Sequence, residues 1–388
     1  MRADLIDAGY DAPRVVNTGD DGGATSGPWV VHVLEVDPDR FAGIVAPVLA
    51  SGIVPGKAGV ARIAARTGAL AAINGGSFVV GPTDGTAGDF TGVSLIGGQL
   101  LSEAVADRTS LVLPNDAGTG AQLAVVAIAH EAVADDGATL AIDGLNREPG
   151  LIRACRGSGG DQPTEAAKHD FTCTDDSELI VFTPEFGQVA VAGEGVEVTF
   201  DGAGTVLEVR QRRGGEIPRA GSVLGGTGDA AAWLEEHALL GSQIQVATQV
   251  LADGAPLDHD GLAGIVNGGP RMVGGGEVQI TAAAEGFHWE EDPGFYDRFG
   301  VRRNPRTMAG VTADGRLLLV TVDGRQPGYS VGASFAEGAA IMQSLGAAEA
   351  VNRDGGGSTA MAVGGVLVNQ PSDATGERPD ADAIVLLP

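Results

Sequence analysis

Apolar and polar residues alternate in short runs along most of this chain, and Gly, Asp or Pro closes nearly every run. From Trp29 to Val36 the alternation has the period of two that half-buries a β-strand. Arg316 to Val322 is a near-continuous apolar run suited to a central strand. Helical spacing is scarce, confined to about Lys57–Arg66, Ala230–Leu240 and Ala333–Leu345. In the last of these, Phe335, Ala339, Met342 and Leu345 fall on one face, Ser330 or Ser334 can cap the start, and Gly346 stops the end. The pattern predicts an α+β fold: a mixed, β-rich sheet with a few helices.

Aligning the chain on its Asn-Gly turns exposes a weak internal repeat. Gly68-ALAAI-Asn74-GG, Gly261-LAGIV-Asn267-GG and Gly346-AAEAV-Asn352-RDGGG share one spacing. Each copy then reaches an apolar hairpin with a glycine turn, at Gly97-Gly98, Gly274-Gly275-Gly276 and Gly364-Gly365. Each closes near an arginine that precedes a strand: Arg108-Thr109, Arg306-Thr307 and Arg378. The fold expected is therefore built from repeated helix/strand–Asn-Gly-Gly–hairpin units, with Asn74, Asn267, Asn352 and Asp354 converging on one cleft. Asn and Gly tolerate positive φ, and a glycine run lets backbone N–H groups face a ligand closely. Because copies flank a different β-rich stretch at about 114–224, residues 1–388 read as a single domain carrying an insertion there.

Charge narrows the partners. The net charge is −27, which argues against nucleic acid and anionic membranes, since both bind through basic patches. No apolar run approaches the roughly 18–20 residues that cross a bilayer, so no membrane insertion is expected. From Arg298 to Arg378, eight arginines face seven acids, a balance of +1 that leaves −28 for the rest. An arginine-dense segment in an acidic protein suggests a site for an anionic group. Cys155 and Cys173 bracket a polar loop with no zinc spacing; we read them as a disulfide, against the alternative of two unrelated thiols. A bridge there would stabilise by about 3 kcal/mol and points to an exported, extracellular protein. Met1 to Arg14 has no hydrophobic h-region, which leaves a cytoplasmic protein or one whose leader has been removed.

Several chemistries find no motif. GxxxxGK[ST] is absent, and glycine runs such as 225–229 lack the frame of a dinucleotide site. The six histidines stand alone, with no HExxH, and Ser358 follows three glycines but not in GxSxG. No cofactor is required; a structural calcium ion has room in a loop such as Asp84–Asp89, although nothing there resembles an EF-hand.

Carboxylate and arginine chemistry remains, in four segments next to apolar strands. Residues 302–310 carry Arg303, Arg306 and Thr307, and residues 320–328 carry Asp323 and Arg325. Residues 350–360 carry Asn352, Asp354 and Ser358, and residues 369–380 carry Asn369, Ser372, Asp373, Glu377 and Arg378.

AAINGGSF (71–78), NPRTMAGVTADGRLLLVTVDGR (304–325), VNRDGGGST (351–359) and VNQPSDATGERP (368–379) resemble the motif series of the phosphodiester glycosidase family. The similarity is strong from about Asn304 to Pro388, clear at Lys57–Leu113 and thin from Ala117 to Leu224. One departure is Arg353, where the family usually has Leu between the Asn and Asp of its glycine turn. The resemblance implies hydrolysis of the C1–O bond of a sugar-1-phosphodiester, with a carbohydrate substrate, a glycan phosphodiester. A phosphomonoester leaves readily, so a strongly tuned general acid matters less than in other glycosidases. Arginines gripping the phosphate would stabilise its developing charge. Asp354 is the first choice for nucleophile or base, with Asp323, Asp373 and Glu377 as the other candidates. Asn74, Arg108, Asn267, Arg303, Arg306, Thr307, Arg325, Asn352, Ser358, Asn369, Asp373 and Arg378 are the expected substrate-binding residues. Of Arg303, Arg306, Arg325 and Arg378, at least two are expected on the phosphate. The alternatives are a hydrolase of cell-wall or exopolysaccharide glycans without phosphate, with Trp289, Phe295 and Tyr296 as a sugar platform, and a non-catalytic glycan-binding protein of this fold.

Overall fold

Three Asn-led strands organise the molecule, each at the heart of its own antiparallel sheet. The computed structural model describes residues 27–388 apart from 83–84, 106, 116–119, 156–161, 164–171 and 289–292. One sheet runs Glu277–Val278, Arg271–Gly274, Ala347–Asn352, Arg306–Thr312, Leu317–Val322, Val31–Val36. A second runs Gln99–Ser102, Ser94–Ile96, Leu262–Val266, Thr109–Pro114, Gln122–Ala134, Ile244–Ala252, Ala255–Pro256. The third runs Val366–Leu367, Met361–Val363, Ala71–Asn74, Asp382–Leu387, Ile44–Leu49.

The order is the same in all three. Each Asn-led strand has a glycine hairpin on one side and an arginine-led or final strand on the other, and both neighbours come from the preceding copy of the repeat, taken cyclically. The repeat is therefore a threefold exchange of hairpins, which closes the three sheets onto one another. All three hairpin turns use a glycine pair at positive φ: 57° and 81° at Gly97–Gly98, 58° and 81° at Gly275–Gly276, 59° and 76° at Gly364–Gly365. That is the conformation a two-residue turn needs to match strand twist.

The packing follows the same symmetry. Ile73, Val266 and Val351, one from each Asn-led strand, share a buried cluster with Leu111, Leu319 and Ile384. The helix Phe335–Ser344 buries Phe335, Ala339 and Met342 on Met272, Met308 and Val320 of the first sheet. It starts in a capping box: the Ser334 hydroxyl accepts from the Glu337 amide, and the Glu337 carboxylate accepts from the Ser334 amide. Gly346 at φ 86° ends it. Ser330, the other candidate cap, donates instead to the Asp323 carbonyl. The helix Val60–Thr67 lies on the third sheet through Val60, Ile63 and Ala64.

Residues 144–226 contribute a further five-stranded sheet, covered by the helix Gly228–His237. Its core of Leu179, Val198, Leu224 and Leu234 also takes in Ile244 of the second sheet. A buried ion-pair network fastens it: Arg147 meets Glu103 at 2.7 Å and Glu178 at 2.6 Å. The Cys155–Cys173 disulfide is formed. Pro293–Tyr296 and Asp297–Val301 form short helical turns that the spacing did not predict. Their aromatics pack against the core: Tyr296 is fully buried, and partly buried Phe295 stacks on Phe299. Trp289 lies outside the described residues.

Candidate active site

The glycine turn after Ala347–Asn352 and the last strand, Asp382–Leu387, put three carboxyls together. Asp354 sits in the turn, and Asp380 and Asp382 lie on the last strand and its approach, two residues apart and hence on the same side. Asp380 and Asp382 are buried, whereas Asp354 is partly exposed. Burial pushes the Asp354 carboxyl up, against the pull of Ser358 and Arg378. Burial, then the Asp354 charge, push Asp380 well above the ordinary carboxylate range. Burial raises Asp382 to about 7, with Arg353 drawing it the other way. Neither Asp380 oxygen has a hydrogen-bond partner, and the same is true of Asp382 Oδ2, Asn352 Oδ1, Ser358 Oγ and all three Arg353 guanidinium nitrogens. The Ser358 hydroxyl acts electrostatically on Asp354 and Asp380 but meets neither at hydrogen-bonding geometry. Buried polar groups without partners are rare in proteins, and here they gather in one place.

The three asparagines build the frame behind this cluster. Asn74 donates to the Asp354 carbonyl at 2.9 Å and accepts from the Thr307 hydroxyl at 2.7 Å. Asn267 accepts from the Ser77 amide at 2.8 Å, and Asn352 donates to the Gly269 carbonyl at 3.0 Å. All three are buried, and each amide nitrogen donates to a backbone carbonyl. Close approach explains the glycines at Asn74-Gly75-Gly76. A Cβ at Gly75 would lie 1.7 Å from Asp382 Oδ1, and one at Gly76 would lie 2.4 Å from Asn267 Nδ2. The Gly76 amide donates to Asp382 Oδ1 at 2.9 Å, so the glycine N–H faces a carboxylate of the chain itself.

Arg378 and Arg325 flank the glycine turn. Arg378 is paired with Asp373 at 2.8 Å and lies against Gly357. Exposed Arg325, at φ 58°, donates to Asn304 at 2.9 Å and lies near Gly356.

The other expected residues are engaged elsewhere. Arg303 forks onto Glu337, the capping residue of the helix Phe335–Ser344. Arg306 is fully buried, donates to the Ala333 and Phe299 carbonyls, and lies 4.5 Å from the Phe335 ring; burial lowers it to about 9. Arg108 is buried over the Phe287 ring at 4.3 Å. Asp323 is a buried hub that accepts from Asn369 at 2.9 Å, the Gln370 amide at 3.0 Å and Tyr329 at 3.1 Å. Asn369 in turn holds Met361 and Thr359. Glu377 accepts from the Ala61 amide at 3.0 Å in the first turn of the helix Val60–Thr67, so it serves that helix. Asp380 and Asp382 lie just beyond the arginine-dense segment and carry no motif of their own. The signal was two acids at strand spacing ahead of an apolar run. With them the site is acidic.

Among the described residues, no three His, Cys, Asp or Glu side chains are grouped to hold a metal ion. Asp84 of the calcium-loop expectation lies outside the described residues. A cavity of about 410 Å³ beside His130, Asp143 and Thr248 includes none of the three aspartates.

Fold and site define a β-rich protein whose carboxyls gather at a glycine turn, and comparison places the chain in a family. The phosphodiester glycosidase family matches residues 194–387, and the chain belongs to that family. A Burkholderia pseudomallei K96243 protein described as exported is similar at 34% identity, with a TM-score of 0.84 over 95% of this chain and 76% of that one. A hypothetical protein from Synechocystis shares the fold at 20% identity and a TM-score of 0.70, over 98% of this chain and 65% of that one. The zebrafish N-acetylglucosamine-1-phosphodiester α-N-acetylglucosaminidase catalytic domain aligns at 13% identity and a TM-score of 0.44, over 97% of this chain and 87% of that one. No curated protein matches the chain.

Proposed function

We propose that this protein is a glycosidase that hydrolyses the C1–O bond of a sugar-1-phosphodiester, releasing free sugar and a phosphomonoester. The observation that carries the reading is the position of Asp354, the one partly exposed carboxyl of the three, in a glycine turn that Arg378 flanks at Gly357 and Arg325 flanks at Gly356. Asp354 takes the proton of a water as it attacks C1, or attacks C1 itself and is released by water in a second step. The C1–O electron pair leaves on the phosphate oxygen, where Arg378 and Arg325 meet the developing charge. Asp380 and Asp382, behind Asp354, are held toward their neutral forms and keep a second full negative charge away from it.

Family membership and the disulfide support an extracellular carbohydrate hydrolase. Among the described residues no helix is long and apolar enough to cross a membrane. The test is incubation with a synthetic GlcNAc-1-phosphodiester or UDP-GlcNAc, with detection of free sugar. Release by the native protein, slowed by about 10²–10⁴-fold in D354N, is the expected result; no release from a panel of sugar-1-phosphodiesters would reject it. A second reading, hydrolysis of glycans without phosphate, draws on the engagement of Arg303 and Arg306 elsewhere, which leaves fewer cations for a phosphate. Release from such glycans and not from phosphodiesters would put it first.

A further inference from the structure

Arg353 is among the largest fully buried side chains of the protein, at 1% exposure. Its backbone amide is held by the Thr307 carbonyl at 2.8 Å, yet none of its guanidinium nitrogens has a hydrogen-bond partner. An isolated buried cation is strongly unfavourable, so its surroundings must compensate the charge. Arg353 directly precedes Asp354 in the glycine turn, Asn74 holds the Asp354 carbonyl at 2.9 Å, and Asp382 is seated against the adjoining Gly75, so the carboxylates acting on it are Asp382 first, then Asp354. The other charged groups around the turn come from three elements. Asp380 lies ahead of the last strand, Asp373 and Arg378 lie in the loop before it against Gly357, and Arg325 lies near Gly356. Arg306, on the neighbouring strand, is committed to carbonyls and aromatic rings. Among the described residues, Arg353 is thus the one fully buried cation acting on two of the three carboxyls.

We propose that Arg353 serves the site from behind, as the buried counter-charge that Asp354 and Asp382 share, and that it acts on the reaction through those carboxylates without touching substrate. It is a positioning residue, and the part that concerns catalysis rests on the glycosidase reading above. Without the guanidinium, three carboxyls would share one pocket with no internal cation, and protons would be retained to higher pH. With it, Asp382 is poised near neutrality and Asp354 is kept available as a base.

The experiment compares R353M and R353K with the native protein in two ways. The first is the pH profile of kcat/KM on a sugar-1-phosphodiester. The second is the melting temperature as a function of pH, which needs no substrate and stays informative if the glycosidase reading fails. In R353M the acid limb of the rate profile and the pH-dependent step in Tm should both move up by about one pH unit, the lower end for loss of a nearby opposite charge. R353K, which keeps the charge, should restore both. Curves for R353M that superimpose on the native ones, or a lysine that restores nothing, would overturn the proposal. Should R353M fold poorly, the double variant R353M/D382N decides. Recovery of Tm relative to R353M supports a shared counter-charge, and no recovery refutes it.

Discussion

Asp354, Asp380 and Asp382 are chemically identical residues that the fold sets to different tasks. Asp354 is the partly exposed one, so D354N is expected to lower kcat/KM by about 10²–10⁴-fold, the range for a lost general base, with little change in Tm. Retained activity in D354N would move the role to another carboxyl. Arg378 meets Asp354 electrostatically and flanks the glycine turn at Gly357. R378A should reduce kcat/KM roughly ten- to hundredfold, as expected for a charge-assisted contact of about 1.5–3 kcal/mol. Asp382 bears on stability. Its folded pKa, about 7, exceeds its ordinary value of 3.8, so the folded state holds a proton that the unfolded chain has lost. That contribution is fully present below about pH 4 and is lost as the pH rises through about 7. D382N, which keeps an oxygen for the Gly76 amide, should therefore flatten the fall in Tm across that window. An unchanged slope in thermal melts at stepped pH would show that Asp382 titrates normally.

At the scale of elements, the helix Phe335–Ser344 shows what an arginine outside the site does. Ser334, Glu337 and Arg303 form one connected start to that helix. S334A should lower stability by about 1 kcal/mol, read by denaturant unfolding, and leave kcat/KM at low temperature unchanged. R303A should behave the same way, in contrast to R378A; loss of activity without loss of stability would return Arg303 to the phosphate. The sequence carried the helix plainly through its apolar spacing, Ser334 and Gly346. It could not separate Arg303 from Arg325, because both follow polar turns, and only the position of Glu337 decides which one is taken. The glycines of Asn74-Gly75-Gly76 were legible as a special turn, but the reason given was incomplete. Positive φ rules the hairpin pairs, whereas Gly75 is required by the seat of Asp382, more than 300 residues away in the chain.

For the whole molecule, the cyclic exchange of hairpins makes each sheet depend on distant chain segments. The strand Ala71–Asn74 pairs with Met361–Val363 and Asp382–Leu387, and Thr109–Pro114 pairs with Leu262–Val266. We propose that the chain is one domain with an insertion at about 114–224. Limited proteolysis should then yield no stable, active fragment lacking the residues before 225; recovery of such a fragment would disprove it. Composition and spacing determined the β-rich α+β character, the three Asn-Gly units, their hairpins and the main helices, because these follow from local alternation and turn chemistry. The cysteine pair was equally legible, as two cysteines around one polar loop. Tertiary structure decided which charges meet. Asp380 and Asp382 become part of the candidate site, and Arg306, Arg108 and Asp323 are buried among their own partners, because burial and counter-charge are set by segments brought together across the three sheets. A carboxyl or guanidinium takes its role from the water it loses and the charges it gains, and those neighbours are fixed only once the sheets close.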